Sequence, residues 1–343
     1  MKRQAWVLLA AMSVLWGIPY LFIKIALTEL SPPVVVLGRT LIAVAVLLPL
    51  AYRKGALAAL RGRWTAIGAL SLLHVVAPQL LITYGEVHIS SSLTALLLAS
   101  QPLLIAVLAL RFDASERAGG RKLLGLFVGL IGVAAVVGFD LGGGDRLELV
   151  GAGLVLLAGA SYAGATTLVK KKLSDVPPLG VVVGTTGIAS VLLLPAGLLA
   201  APTSLPGLDA SAAVLALGLL STALAFLVYY KLIALAGAGS AALVSYTSPA
   251  VAVGLGVLLL AEPLTPATVL GFALILLGSW LSTRKPTPKP QPTAPAPATA
   301  PAPATAPAPA TAPAPATAPA PATAPAPAPD PARTTPRLPA LTR

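Results

Sequence analysis

Displacing the sequence along itself by 146 residues brings its chemically distinctive positions into register: Trp16 falls on Tyr162, Lys24 on Lys170, Pro49 on Pro195, Tyr84 on Tyr230, Glu116 on Glu262, Gly125 on Gly271 and Gly132 on Gly278. The chain reads as a duplication. Each copy is mostly apolar and long enough for five membrane crossings, because a hydrocarbon core about 30 Å thick takes roughly 20 apolar residues per helix. An odd number of crossings delivers the second copy to the bilayer upside down. Inverted repeats of this kind are characteristic of transporters.

With 57% hydrophobic and only 10% charged residues, the chain cannot present a wettable globular surface, so its solvent is lipid. Apolar stretches bounded by turn and charge signals predict helices near 5–27, 33–52, 64–85, 91–111, 121–139, 149–170, 178–200, 210–235, 239–260 and 265–282. The expected fold is an all-α membrane protein of ten transmembrane helices in two inverted five-helix repeats, residues 1–141 and 142–285, with a tail over 286–343. Lys2 and Arg3 ahead of the first stretch imitate a signal peptide. The run is long for one and more crossings follow, so it is read as a retained helix.

A net charge of +12 in a soluble protein would suggest nucleic acid, but the positions of the charges decide otherwise. With the N-terminus cytoplasmic, Lys2, Arg3, Arg53, Lys54, Arg61, Arg63, Arg111, Arg117, Arg121, Lys122, Lys170, Lys171, Lys172 and Lys231 fall on the cytoplasmic side. Glu29, Glu86, Asp140, Asp145, Glu148, Asp209 and Glu262 fall on the other, with only Arg146 and Lys24 among them. That asymmetry predicts an inner-membrane, multi-pass protein with both termini cytoplasmic. Trp6, Trp64 and Trp280 occupy predicted cytoplasmic helix ends, where an indole suits the headgroup layer. There is no cysteine, hence no disulfide framework, thiolate metal site or cysteine nucleophile.

Beyond residue 285 the composition changes to Pro, Ala and Thr, with Thr293, Thr299, Thr305, Thr311, Thr317 and Thr323 recurring every six residues. Alternating proline favours extended polyproline II and buries too little apolar surface to fold, so the tail is expected to be disordered.

Polar groups in hydrocarbon are costly and face protein or a water-filled cavity, which makes their spacing informative. Ser13, Gly17, Tyr20 and Lys24 share a stripe of the first helix beside Trp16. In the third, His74 and Pro78 lie on one face and Gln79, Thr83 and Glu86 on a neighbouring one. Thr94 and Gln101 in the fourth, Tyr162, Thr166 and Lys170 in the sixth, Thr222, Tyr229 and Tyr230 in the eighth, and Ser245, Tyr246 and Ser248 in the ninth complete the pattern. The expected substrate cavity is formed by Trp16, Tyr20, His74, Gln79, Tyr84, Gln101, Tyr162, Tyr230 and Tyr246, near the midplane on the axis relating the copies. Lys24, Arg39, Lys170, Glu116 and Glu262 are candidates for gating or helix-end charge. Each has a structural alternative: Arg39 lies shallow enough to snorkel to the headgroups, the two lysines can mark the interface, and the two glutamates begin the fifth helix of each copy, where a carboxylate complements the helix dipole. The spaced glycines suit close helix packing. His74 could couple transport to protons or tie helix three to a neighbour.

Trp16-Gly17 with Lys24, Arg39 followed by Ala43 and Pro49, and Ser248-Pro249 followed by Glu262, Gly271 and Gly278 resemble the EamA-type members of the drug/metabolite transporter superfamily. The Pro–Glu–Gly–Gly run recurs as Pro102, Glu116, Gly125, Gly132 and Pro249, Glu262, Gly271, Gly278, with one extra residue in the first copy. Thr185 stands where the first copy has Arg39. The resemblance covers residues 5–282 and implies ten helices around a central cavity, alternating access, and export of small amphipathic metabolites such as amino acids.

There is no P-loop, dinucleotide fingerprint or H-E-x-x-H, and His74 and His88 are the only histidines, so no cofactor or metal is expected. An intramembrane enzyme would have to be built from Glu86, His88 and Ser90–Ser92, which read as a short outer connection with serine caps. A sugar-phosphate or nucleotide-sugar exchanger of the same architecture would want paired cations deep in the cavity, where only Arg39 and Lys24 offer charge. A secondary exporter or facilitator of small metabolites therefore fits best. Its implied partners are the lipid bilayer, the substrate and, through His74, protons, with homodimerisation left open and no nucleic acid.

Overall fold

The computed structural model describes residues 3–112, 120–140, 146–241 and 243–283, and all regular structure among them is helical. Seven helices are long and apolar enough to cross a membrane: α1 Arg3–Ala26, α2 Pro32–Arg53, α3 Trp64–His88, α5 Gly120–Gly138, α6 Arg146–Lys172, α7 Pro178–Leu199 and α8 Leu208–Gly237. Shorter apolar helices are α4 Ser91–Val107, α9 Val244–Leu260 and α10 Pro266–Ser282. Each overlaps a stretch expected from the sequence. Glu116, Asp145 and the Pro/Ala/Thr tail lie outside the described residues.

Punctuation within the helices follows proline chemistry. Pro19 and Pro102 cannot donate to the preceding turn, and α1 and α4 are interrupted just ahead of them, at Ile18 and at Ala99–Ser100. In α3, Pro78 leaves the His74 carbonyl without its usual donor. The chain answers with a π segment over Leu72–Val76, where the Ala77 amide donates to the Leu72 carbonyl five residues back. α8 carries a second π segment, Leu219–Leu224, at the duplicated position and without a proline.

Packing is close because the residues between helices are small. In lipid no hydrophobic force draws helices together, so van der Waals contact and interhelical hydrogen bonds must do it. A Cβ on Gly278 of α10 would collide with the backbone of Gly129 in α5, and these two helices form the most extensive pair in the bundle. At the end of α3, a Cβ on Gly85 would stand 3.0 Å from the Gly151 carbonyl oxygen of α6 and 2.7 Å from Val155. The buried apolar core joins Ile23, Val35, Ile82, Leu96, Val155 and Leu217 from six helices.

Helix contacts come in matched sets. α1 packs on α8 and α9 as α6 packs on α3 and α4, and α2 packs on α8 as α7 packs on α3. Three pairs, α2 with α7, α4 with α9 and α5 with α10, join elements at equivalent places in the two halves. Trp6, Trp64 and Trp280 are all exposed near helix ends.

Candidate functional site

Polar chemistry concentrates at the short connection from α3 to α4. α3 stops at His88, Ile89 is extended, and Ser90 opens α4 as its N-cap, its hydroxyl accepting the Leu93 amide at 3.1 Å. A helix end leaves carbonyls without donors and a helix start leaves amides without acceptors. Both are satisfied here by charged side chains from elsewhere in the chain. Lys24 donates its Nζ to the carbonyls of Glu86 (2.6 Å) and Ile89 (2.8 Å), a cation on the negative end of α3. The Glu262 carboxylate accepts the amides of Ser91 (2.8 Å) and Ser92 (2.9 Å) and the Ser92 hydroxyl, an anion on the positive end of α4.

Glu262 reaches this position because Ala261, at φ 54°, ends α9 in the left-handed conformation, turning the chain so that the Glu262 amide bonds back to the Gly256 carbonyl. That conformation costs an alanine roughly 1 kcal/mol. Partial burial opposes ionisation of Glu262, but the hydrogen bonds from Ser92 and Ser91 outweigh it and hold the carboxyl below the usual range. The same end is tied again between the α1–α2 and α7–α8 connections, where Glu29 accepts the Gly207 amide at 2.6 Å and Ser31 donates to the Ala200 carbonyl at 3.2 Å.

Beneath this end lies a buried polar cluster. Arg39 of α2 turns inward, 8% exposed, and donates to the Thr222 hydroxyl of α8 at 3.3 Å. Glu86 is fully buried, and neither of its carboxyl oxygens has a hydrogen-bond partner among the described residues. Arg39 and Tyr20 of α1 lie within electrostatic range of each other and of both Glu86 and Tyr162 of α6. His74, in the π segment, sets its ring edge-on to Tyr162 with centroids 5.3 Å apart. Tyr20, His74 and Tyr162 are each half-buried. Gln79 has a buried amide oxygen without a partner.

The other end of the bundle is built differently. Arg63 forms an exposed pair with Asp175, at 2.9 and 2.6 Å, and also donates to the Lys172 carbonyl. A cavity of about 570 Å³ opens there, lined by Lys54, Pro177, Pro178, Leu227, Tyr230 and Lys231.

The structure therefore brings Tyr20, His74, Tyr162 and Arg39 to one buried region, with Gln79 on the same helix as His74. Trp16 is half-buried and packs on Tyr229 at 4.8 Å, and Gln101 and Tyr246 are half-buried in α4 and α9. Two expected cavity residues go elsewhere: Tyr84 is exposed on the far side of α3, and Tyr230 lines the cavity at the opposite end, donating to the Pro178 carbonyl at 3.3 Å. Lys170 is exposed and has no hydrogen-bond partner among the described residues. Glu262 does not begin its own helix, which starts at Pro266 behind a Thr265 cap whose hydroxyl accepts the Thr268 amide. It serves α4 instead. Glu86 and His88 belong to α3 rather than to the connection. The alignment of Glu86 with Gln79 and Thr83 was the signal that it faces inward. Nothing local announced Thr222 as the partner of Arg39, or Ser91 and Ser92 as the seat of Glu262. Among the described residues no three His, Cys, Asp or Glu side chains group as metal ligands.

The model of the EamA-like transporter family matches residues 4–138 and again 149–284. An uncharacterized transporter of Archaeoglobus fulgidus is 28% identical over 82% of this chain and 99% of its own length. The uncharacterized transporter YvbV of Bacillus subtilis is 28% identical over 76% of this chain and 86% of its own. A solved crystal structure with 19% identity superposes at a TM-score of 0.59 over 82% of this chain and 97% of that one, a likeness of fold. A lipid-solvated helical chain, twice matched by one transporter model and aligned nearly end to end with transporters, belongs to the EamA-like transporter family.

Proposed function

We propose that this membrane transporter is a secondary carrier that moves small metabolites, amino acids among them, by alternating access between two inverted five-helix repeats, residues 1–141 and 142–285. The observation carrying this reading is the polar region of Tyr20, Arg39, His74 and Tyr162, drawn from both halves of the chain. Aromatic faces there offer contact area, and Arg39 and Gln79 offer orientation. The matched helix contacts and the paired π segments support the duplicated plan. A phosphate-bearing substrate would want two free cations, and Lys24 is committed to backbone carbonyls. That favours a neutral or zwitterionic substrate.

Counterflow in proteoliposomes against a panel of amino acids, amphipathic cations and sugar phosphates tests the substrate class. Uptake of sugar phosphate alone would overturn it. Orientation is tested separately in this cysteine-free chain. Arg61→Cys and Thr287→Cys should label from the cytoplasm, and Asp145→Cys and Leu205→Cys from outside. Cytoplasmic labelling at 145 would break the inverted plan.

A further inference from the structure

We propose that Glu86 is the site at which the protein takes up a coupling proton, and that this proton decides whether Lys24 stays on the end of α3. The inference rests on the transporter reading, but its test needs no substrate.

The geometry is unusual for a structural carboxyl. Glu86 is fully buried, neither of its oxygens has a partner among the described residues, and it lies two residues before the end of a helix that Gly85 pins against Gly151 of α6. A carboxylate in that setting must either bind a proton or draw in a cation. Among the described residues the charged and titratable groups facing it are Lys24 and Tyr20 from α1, Arg39 from α2 and Glu262 from the α9–α10 connection. α4 presents only the serines 91 and 92, and His88 is the neighbouring titratable group on α3 itself. Arg39 gives one N–H to Thr222 and keeps a buried Nε without a partner among the described residues. Lys24 is the cation already placed on this helix end, its ammonium on the backbone carbonyl of Glu86 itself, 2.6 Å away.

Two partners therefore compete for one ammonium. With the carboxyl protonated, Glu86 carries no charge to draw a cation and Lys24 remains on the carbonyls of Glu86 and Ile89, keeping the α3–α4 end tied. When the proton leaves to water, the carboxylate becomes the stronger acceptor, and Lys24, which forms no ion pair with it in this state, is drawn off those carbonyls toward it. The α3 terminus then loses its cap. Proton release and untying of this end become one event. That is the linkage a proton-driven carrier requires.

The experiment uses full-length protein in liposomes carrying Ile89→Cys, whose side chain is buried in this state. Labelling by a membrane-impermeant maleimide is measured between about pH 4 and 9, which spans the titration of carboxylates and histidines. Because the thiolate is the reacting form, each rate is divided by that of the exposed Leu205→Cys at the same pH, and this ratio should rise with pH by roughly tenfold per unit over the titrating range, as a single proton demands. Glu86→Gln should hold it low and flat, and Lys24→Met should leave it high and flat. Infrared difference spectra of the wild type should show a protonated-carboxyl band that disappears over the same range and is missing in Glu86→Gln.

The proposal is overturned if labelling in Glu86→Gln keeps its pH dependence, if that dependence disappears in His74→Gln instead, or if sodium at fixed pH reproduces the opening. Should Glu86→Gln fail to reach the membrane, the wild-type spectra still decide, since the lack of any titrating buried carboxyl overturns it. Failure of every substrate in counterflow, with labelling and spectra as expected, would overturn the transport reading alone.

Discussion

The two ends of the bundle are built from duplicated positions but have been put to different use. At the α3–α4 end, Lys24 caps a helix terminus and Glu262 seats on a helix start. At the opposite end, the duplicate Lys170 is exposed without a hydrogen-bond partner among the described residues, and the duplicate of Glu262, Glu116, lies outside them. What ties that end is an exposed ion pair, Arg63 with Asp175, beside an open cavity. A charge seated on the unsatisfied backbone groups of a helix terminus, half out of water, is worth more than one paired with another charge in solvent. The first end is closed by strong contacts and the second by weak ones. Equivalent positions of the two family-matched segments therefore tie the two ends unequally.

The comparison is tested most severely on α3 itself. Gly85→Leu forces a side chain into the α6 backbone and should cost about 3 kcal/mol or prevent folding, whereas Gly68→Leu, where a Cβ meets nothing within 4 Å, should change thermal stability little. Equal effects would mean that the two ends are equally tight.

Glu262→Gln should come next, at about 1 kcal/mol after allowance for its half-exposed position, read as a lower melting midpoint and faster labelling of Ile89→Cys. The sign of the pH effect follows from the depressed carboxyl. The stabilisation is present above the unfolded-state value near 4.3 and is lost as pH falls through the lower folded value. Stability below about pH 4.5 should therefore fall more steeply in the wild type than in Glu262→Gln.

At the opposite end Arg63→Ala should cost only about 0.5 kcal/mol, and added salt should erase the difference. A loss as large as that of Glu262→Gln would remove the distinction between the ends. Smallest of all is truncation after Lys285, just past the family match, which should leave melting and transport unchanged. Lost transport at a normal membrane level would assign the tail a function.

The membrane-embedded body was legible in the sequence because apolar runs and proline–glycine punctuation are local signals, and α1, α2, α6 and α7 begin and end within a few residues of expectation. The close packing of α5 on α10 could be anticipated from spaced glycines for the same reason. The site was legible only in part. Helical periodicity gave faces, which is why Tyr20, His74 and Tyr162 could be expected to point into the bundle, but it could not say which neighbour a face meets. Tyr84 and Tyr230 match across the duplication and yet end in different surroundings. Glu262 was assigned to the nearest helix start, whereas the seat it occupies is formed 171 residues away.

That separation sets a schedule for assembly. A ribosome adding roughly 5–20 residues per second makes Ser91 about ten to thirty seconds before Glu262. Throughout that interval the amides opening α4 are exposed at the membrane surface without the carboxylate that will cover them, and water or headgroups must serve. The first half cannot complete its own end. Its closure waits on a residue late in the second half, so the contact that ties the α3–α4 end also reports that the chain has been made through α9.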